Sequence, residues 1–384
     1  MTRLDHTFVT REATRAVMTA LSDGGHTALF VGGCVRNALL GARVDDIDIA
    51  TDAHPDAVIA LTEAAGLKPV PTGVAHGTVT VVSDGMPHEV TTFRRDVETD
   101  GRHAVVAFAD TVEEDAARRD FTMNALYADG DGNVLDPMGT GLSDLSRRHV
   151  RFIGEAARRI AEDYLRILRF FRFHAWYGDA EAGLDAEGLA ACADAIEGLA
   201  GLSRERVGHE MRKLLAAPDP APGVASMQAC GALGQVLPGA DAERLAPLVH
   251  LEQQTGTAPD ALRRLACLGG DETATRLRLS KIEARRLDVL RAGIGDEAGT
   301  AELAYRHGAE AAHDIELLRA VTFEAPLPAT LEADLIRGAE AVFPVRAADL
   351  MPEYSGAELG AKLADLERRW IASQFTLDRD ALLA

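Results

Sequence analysis

Long apolar runs are missing from this 384-residue chain. No stretch of about 18 uncharged apolar residues exists to cross a bilayer, and the opening MTRLDHTFVTREATRAV carries charges throughout instead of the apolar core of a secretory signal. A cytoplasmic protein with no membrane partner is expected. Cysteine is also scarce. Cys34, Cys192, Cys230 and Cys267 lie far apart, without the C-x-x-C spacings of zinc or redox sites, and are expected as reduced core thiols. Lysine is sparse, and acids outnumber the basic residues to give a formal net charge of −20. Proteins that coat nucleic acid nonspecifically are usually basic, so that class is excluded, while a local basic groove is not. The Arg/Ala/Asp/Glu-rich usage fits a GC-rich genome or a salty habitat without separating them.

The chain is long enough for two or more domains. Its first part holds short β-type runs, TALFV, DIDIAT, GTVTVVS, HEVTTF and NALYAD, divided by glycine and proline. REATRAVMTALSDGG and HPDAVIALTEAAG have helical spacing with glycine stops. Strands and helices do not alternate as a doubly wound fold requires. After DPMGTGLSDLSRRHVRFI the pattern is helical almost throughout, as in AEDYLRILRFFRFHAWYG, SRERVGHEMRKLL, KIEARRLDVLRAG and AELGAKLADLERRWIAS, with punctuation at APDPAPG. The expected class is α+β: a small head with a mixed or antiparallel sheet at residues 1–145, a helical neck at 146–215, and a helical body and tail at 216–384.

The stretch GARVDDIDIATD places Asp46 and Asp48 in alternation with Ile47 and Ile49. On a strand the two acids share a face. One reading is a solvated edge; the other is that a cation holds the repelling pair ionised. Oxygen-only ligands at this spacing suit Mg²⁺, which takes one or two carboxylates and completes its shell with water and phosphates. Asp45 is expected to point away, and Asp52 to sit past the strand at a turn or cap. Just upstream, TALFVGGCVRNALLG reads as a strand, a Gly32-Gly33 turn and a short helix. Such a turn lets backbone N–H groups approach an anion, and Arg36, about one helical turn later, can reach the same anion.

Gly-Gly, Arg and then Asp-x-Asp in this order resemble the signature of the class II nucleotidyltransferases, the CCA-adding enzymes together with bacterial poly(A) polymerases. The resemblance implies a nucleotidyltransferase head that holds two Mg²⁺ ions at Asp46 and Asp48, with an acid usual where this chain has Asn37. Glu89, in EVTTFRRDVETDGRHAVV, is a candidate third carboxylate, or a solvated strand-end acid. The polar RRDVETDGRH is expected to act as a mobile loop. RRDFTMNAL is similar to the family motif that contacts ribose and triphosphate, with Arg119 on phosphate and Asp120 accepting from a ribose hydroxyl; the plain alternative is a helix-capping Arg–Asp pair.

In EDYLRILRFFRF, Asp163 and Arg166 stand at i and i+3 and are expected on one helix face. An ordinary salt bridge is one reading. The other is a base-reading edge: a carboxylate accepts from an exocyclic amine while a guanidinium donates to a ring nitrogen, which fits cytosine and adenine and rejects uracil and guanine. Each such contact contributes roughly 1–3 kcal/mol of discrimination, and the family is understood to use Asp-x-x-Arg in place of a template. Arg169 and Arg172 continue the series and, by resemblance, line the nucleotide site. From Arg147 to Arg172, eight arginines face three acids, a local basic surface in an acidic chain.

The implied reaction is attack of a tRNA 3′-hydroxyl on the α-phosphate of CTP or ATP, with Gly32, Gly33, Arg36 and Arg119 on the triphosphate and the two Mg²⁺ ions at the acids. The expected partners are tRNA, ATP and CTP, without DNA. SRERVGHEMRKLL resembles the next family motif, and LRLSKIEARRL with the C-terminal helices resembles the part that holds tRNA. VPTGVAHGTVTVV resembles the CCA-adding form rather than poly(A) polymerase, which is the runner-up; a noncatalytic RNA- or Mg²⁺-binding module is a third reading. His313-Asp314 suggests an HD phosphohydrolase, but only His307 lies nearby to complete one, so no such site is expected.

Overall fold

The computed structural model describes residues 2–96 and 106–384. It divides into two compact units, Met1–Glu210 with Pro222–Val236, and Met211–Ala221 with Leu237–Ala384. In the first unit the strands are β1 (Ala28–Val31), β2 (Asp48–Thr51), β3 (Lys68–Gly73), β4 (Thr78–Ser83), β5 (Met86–Thr92), β6 (Arg94–Asp96), β7 (Val106–Phe108), β8 (Tyr127–Ala128) and β9 (Val134–Leu135). Seven of them form one sheet in the order β3-β4-β5-β2-β1-β8-β9, and β6 pairs with β7. All neighbours are antiparallel except β2 and β5. The sheet is therefore mixed. Of RRDVETDGRH, residues 94–96 form β6, and the rest lies outside the described residues.

Alternation in β4 and β5 explains the two sides of this sheet. Val79, Val81, His88 and Val90 are fully buried, on the side packed by α2 (Glu12–Asp23) and α4 (Pro55–Ala64), which follow the one-turn α1 (Thr7–Thr10) and flank α3 (Gly33–Leu39). Thr78, Thr80, Glu89 and Thr91 take the other face. β3 carries Pro69 and Pro71, which would break a central strand, but it is an edge strand whose outer N–H groups need no partner.

The remaining helices of interest are α5 (Val112–Ala117), α6 (Gly141–Ser146), α7 (Ala156–Glu162), α8 (Leu165–Tyr177), α9 (Ala186–Asp194) and α10 (Arg204–Leu215). Phe121, Phe152, Phe170 and Phe173 stack against one another with centroids 4.9–6.3 Å apart, fixing α8 to the segment after α5. The second unit's elements are helical. Its centre holds a buried ionic cluster in which Glu252 receives Arg263 and Arg264, and Asp314 receives Arg263 at 2.6 Å and Arg286 at 2.8 Å. Asp314, the HD-like aspartate, is thus part of a structural network. Among the described residues no helix is long and apolar enough to cross a membrane.

Candidate active site

Parallel pairing of β2 with β5 puts Asp48 directly opposite Glu89, and antiparallel pairing puts Thr80 on Glu89's other side. Two acids from strands far apart in sequence therefore share the open face. The strand begins at Asp48 and not at Asp46. Asp46 is exposed in the segment just before it, so the expected acid pair on one strand is instead a strand residue and its lead-in. The ladder reaches back one step further, with Glu89 N–H donating to Ile47 O at 3.2 Å. Burial, then Glu89, then Asp46 push the Asp48 carboxyl up to about 6, against relief from Arg119. Asp45 pairs with exposed Arg43, and Asp52 caps the turn before β1 by accepting from Thr27 N–H at 2.9 Å.

A cavity of about 410 Å³ lies against this face. Asp48 and Glu89 line it together with Arg119, Asp120, Asp163, Arg166 and Arg169. A second cavity of about 520 Å³ shares Asp48 and Glu89 and adds Asp46. The oxygen-only set of Asp46, Asp48 and Glu89 fits Mg²⁺, whose proximity would offset the repulsion that raises Asp48. Among the described residues no three His, Cys, Asp or Glu side chains converge enough to hold an ion unaided, but Mg²⁺ sites ordinarily take one or two carboxylates and leave the remaining positions to water and phosphate.

The Gly32 turn has φ 69° and ψ −118°, a conformation open to glycine. A Cβ there would stand 3.4 Å from Arg119 Nη1, so the turn backs directly onto that guanidinium. Gly33 opens α3 with a Cβ position 3.8 Å from Arg36 Nη2. Arg119 is aimed by Asp115, which accepts from its Nη2 at 2.9 Å, and by the Tyr127 hydroxyl, which accepts from its Nε at 3.0 Å.

Arg36 does not reach the cavity. It is 6 % exposed, lies over the Tyr177 ring at 3.9 Å, and donates to Asn124 Oδ1, to Tyr177 Oη and twice to Asn37 Oδ1. Aromatic faces and neutral acceptors surround it, and burial pulls its pKa down. Asn37 uses its other end as well: Nδ2 donates to Arg43 O at 2.9 Å, tying α3 to the loop that leads to Asp46. An acid at that position could accept from Arg36 but could not make the second bond.

Asp120 lines the cavity, yet both of its oxygens already have protein donors. Oδ1 accepts from Phe121 N and Asn124 Nδ2, and Oδ2 accepts from Arg169 Nε at 2.8 Å and from its Nη2. Burial opposes its charge, but Arg169 and these hydrogen bonds hold the carboxyl below the ordinary range. Expectation and structure part here, because the expected ribose acceptor is occupied by the expected nucleotide-facing Arg169. Arg172 is outside the described cavity lining, with Nε on Glu210 at 2.5 Å and its guanidinium over Phe173.

The expected single helix through Asp163 and Arg166 is broken. Helix α7 ends at Glu162, and Asp163 is extended at φ −155° and ψ 104° before α8 begins. The two side chains also take different partners. Asp163 Oδ2 accepts from Arg206 at 2.6 Å and Oδ1 from Leu165 N–H at 3.1 Å. Arg166 donates to Glu162 at 2.6 Å and to the carbonyls of Arg159 and Arg118. Of its five N–H donors, Nε and one on Nη2 stay uncommitted among the described residues.

Residues 28–151 match the model of the poly A polymerase head domain, and residues 184–244 match that of a probable RNA- and SrmB-binding site of polymerase A. Human mitochondrial CCA tRNA nucleotidyltransferase 1 is 43 % identical over 191 residues, half of this chain and 44 % of that protein. A CCA-adding enzyme of Streptococcus pyogenes is 41 % identical over 225 residues, 58 % of this chain and 54 % of that protein. The crystal structure of the Bacillus stearothermophilus CCA-adding enzyme with CTP superposes with a TM-score of 0.76 at 29 % identity, covering 94 % of this chain and 93 % of that one. Residues 28–151 thus carry a poly A polymerase head domain, and the chain has the fold of the CCA-adding enzymes. It spans about half the length of the curated relatives it matches.

Within this site, spacing alone did not single out the supporting residues. Asp115 precedes Arg118 and Arg119 by three and four residues on or next to α5, and Glu162 precedes Arg166 by four. These are ordinary helical pairings that could have been read. Arg206, Glu210 and Asn124 act across 43, 38 and 88 residues, beyond any local window.

Proposed function

We propose that this chain is a CCA tRNA nucleotidyltransferase that adds CMP, CMP and AMP to the tRNA 3′ end from CTP and ATP without a nucleic-acid template. One observation carries the reading: the β2–β5 register brings Asp48 beside Glu89 at a cavity that also holds Arg119, Asp163 and Arg166. The names of the curated relatives and the CTP complex of the B. stearothermophilus enzyme support the same substrates.

In this reading Asp46 and Asp48, with Glu89 beside them, hold two Mg²⁺ ions. When bound, these supply Lewis-acid polarisation of the phosphoryl oxygens and ease loss of the proton from the attacking hydroxyl. Arg119 and the N–H groups after Gly32 bind the triphosphate. The RNA 3′-oxygen forms a bond to the α-phosphorus while the bond to the bridging oxygen breaks, and pyrophosphate leaves with its charge on Arg119. The free lone pairs of Asp163 accept from the amino group of cytosine or adenine, and an uncommitted Arg166 N–H donates to the adjacent ring nitrogen. Glu162 and Arg206 keep these two groups in position. Asp120, Arg169 and Arg172 fix the cavity wall, and Arg36 fixes the turn from behind.

Residues 1–145 act as head, 146–215 as nucleotide-facing neck, and 216–384 as the body and tail that bind tRNA, in keeping with the RNA-binding match at 184–244. The activity is assigned to the cytoplasm, which fractionation of cells producing the tagged chain tests. The deciding experiment supplies tRNA lacking its 3′ end with Mg²⁺ and labelled CTP and ATP, and sequences the products. Termination at CCA supports the reading; a long A tract marks a poly(A) polymerase instead.

A further inference from the structure

The two cavities at the acids follow one another along the sheet. On β5, residues 91, 89 and 87 alternate onto the open face, opposite Thr78, Thr80 and Val82 of β4. Thr91 and Thr78 line the arginine-rich cavity, Glu89 and Asp48 line both, and Thr80, Pro87 and Met86 line the other. The acids stand between two compartments on one face.

The compartments differ in chemistry. The first gathers Arg119, Arg166 and Arg169, enough positive charge for a polyphosphate. The second is walled by the N-terminal segment His6–Arg11 and offers one guanidinium. Arg11 is exposed, contacts Met86 Sδ at 3.2 Å, and has no ion pair among the described residues. The half-buried His6 ring packs on Phe8 with centroids 4.9 Å apart. One cation for a phosphodiester beside a ring for a base is the equipment for a single RNA nucleotide.

Phosphoryl transfer sets the attacking and leaving oxygens roughly in line across phosphorus. A triphosphate in the arginine compartment, with its α-phosphate at the acids, leaves the opposite side to the attacking hydroxyl. Resting on the nucleotidyl-transfer reading above, we propose that the second compartment seats the 3′-terminal nucleotide of the RNA acceptor, with Arg11 on its phosphate and His6 against its base.

The test uses the full chain with Arg11→Ala and Arg11→Lys. Arg11→Ala is expected to raise KM for tRNA lacking its 3′ end by about five- to tenfold and to lower the salt dependence of RNA binding by about one unit of log–log slope. KM for CTP and ATP is expected to stay within about twofold, because those substrates meet the other cavity's cations, and Arg11→Lys should recover most of the RNA affinity. A readout without catalysis comes from RNA carrying a photoreactive 3′-terminal nucleotide in EDTA, which should crosslink to residues 6–11 or 86–87. Incorporation by the wild type is scored first: its absence overturns the transfer reading and this inference together. Normal incorporation with an unmoved RNA KM in Arg11→Ala, or a crosslink confined to other segments, overturns this inference alone.

Discussion

Asp115→Asn removes one buried charge on which several groups of the site converge. Asp115 is 1 % exposed. Its Oδ1 accepts from Arg118 Nε at 2.9 Å and Arg94 N at 3.2 Å, and its Oδ2 from Arg119 Nη2 at 2.9 Å and the Tyr127 hydroxyl at 2.8 Å. Burial works against this charge, but Arg119, Arg118 and Tyr127 outweigh it and hold the carboxyl down at about 2, against an ordinary 3.8. That displacement corresponds to roughly 2–3 kcal/mol. The folded value is the lower one, so this stabilisation is fully present above about pH 4 and is lost as pH falls through about 2. Asparagine keeps the shape but leaves two guanidiniums uncompensated, which brings the expected loss at neutral pH to about 2–5 kcal/mol.

Two compact units preclude reading a single melting midpoint as one free energy. Native-state amide hydrogen exchange is the suitable assay because it reports each element separately. Exchange in β1 and β8 of Asp115→Asn should quicken by at least about thirtyfold at neutral pH, while helix Lys281–Ile294 of the second unit stays unchanged. The gap between mutant and wild type should close as pH approaches 2. Equal protection of β1 and β8 in the two proteins at neutral pH would refute the argument.

Three further outcomes are expected. Asp48→Asn should abolish nucleotide incorporation and, in EDTA, leave the first unit as stable as the wild type or more so, since it relieves repulsion from Glu89 and Asp46; hydrogen exchange of β2 and β5 checks this. Asp163→Ala should relax selection against UTP by about ten- to a hundredfold in kcat/KM ratio, measured by competition between labelled UTP and CTP; an unchanged ratio would remove Asp163 from base reading. Asn37→Asp should keep the contact to Arg36 but lose the donor to Arg43 O, seen as faster exchange across residues 41–47.

The sheet was legible in short apolar or alternating runs: the buried β1 and β2 fall within TALFV and DIDIAT, and the alternating β4 and β5 within GTVTVVS and the stretch around HEVTTF. β3 was not, because its two prolines argue against a strand and only its place at the sheet edge makes them harmless. The break at Asp163 has only a faint local signal, since EDYLRILRFFRF lacks glycine and proline and offers just the aspartate itself, whose Oδ1 accepts from Leu165 N–H. Its other contacts are distant: Arg206 holds the carboxylate, and the Tyr164 ring occupies the space where a side chain on Gly198 would begin. The fate of Arg36 was equally hidden, because Asn124 and Tyr177 lie 88 and 141 residues away. Spacing could name a basic residue after the Gly-Gly turn but not the direction of its side chain.

Those distant contacts join into one string. Arg36 donates to Asn124 Oδ1, Asn124 Nδ2 donates to Asp120, Asp120 receives Arg169, and Glu210 receives both Arg169 and Arg172. Asn124 is suited to its place because an amide can accept at one end and donate at the other. The Gly32 turn and helix α8 are thereby coupled, and a shift of either must break a charge-assisted hydrogen bond in a buried setting. Three guanidiniums along the string face two carboxylates, and Asn37 adds no third. The string therefore keeps a surplus positive charge behind the cavity, a field that a bound polyphosphate is suited to neutralise.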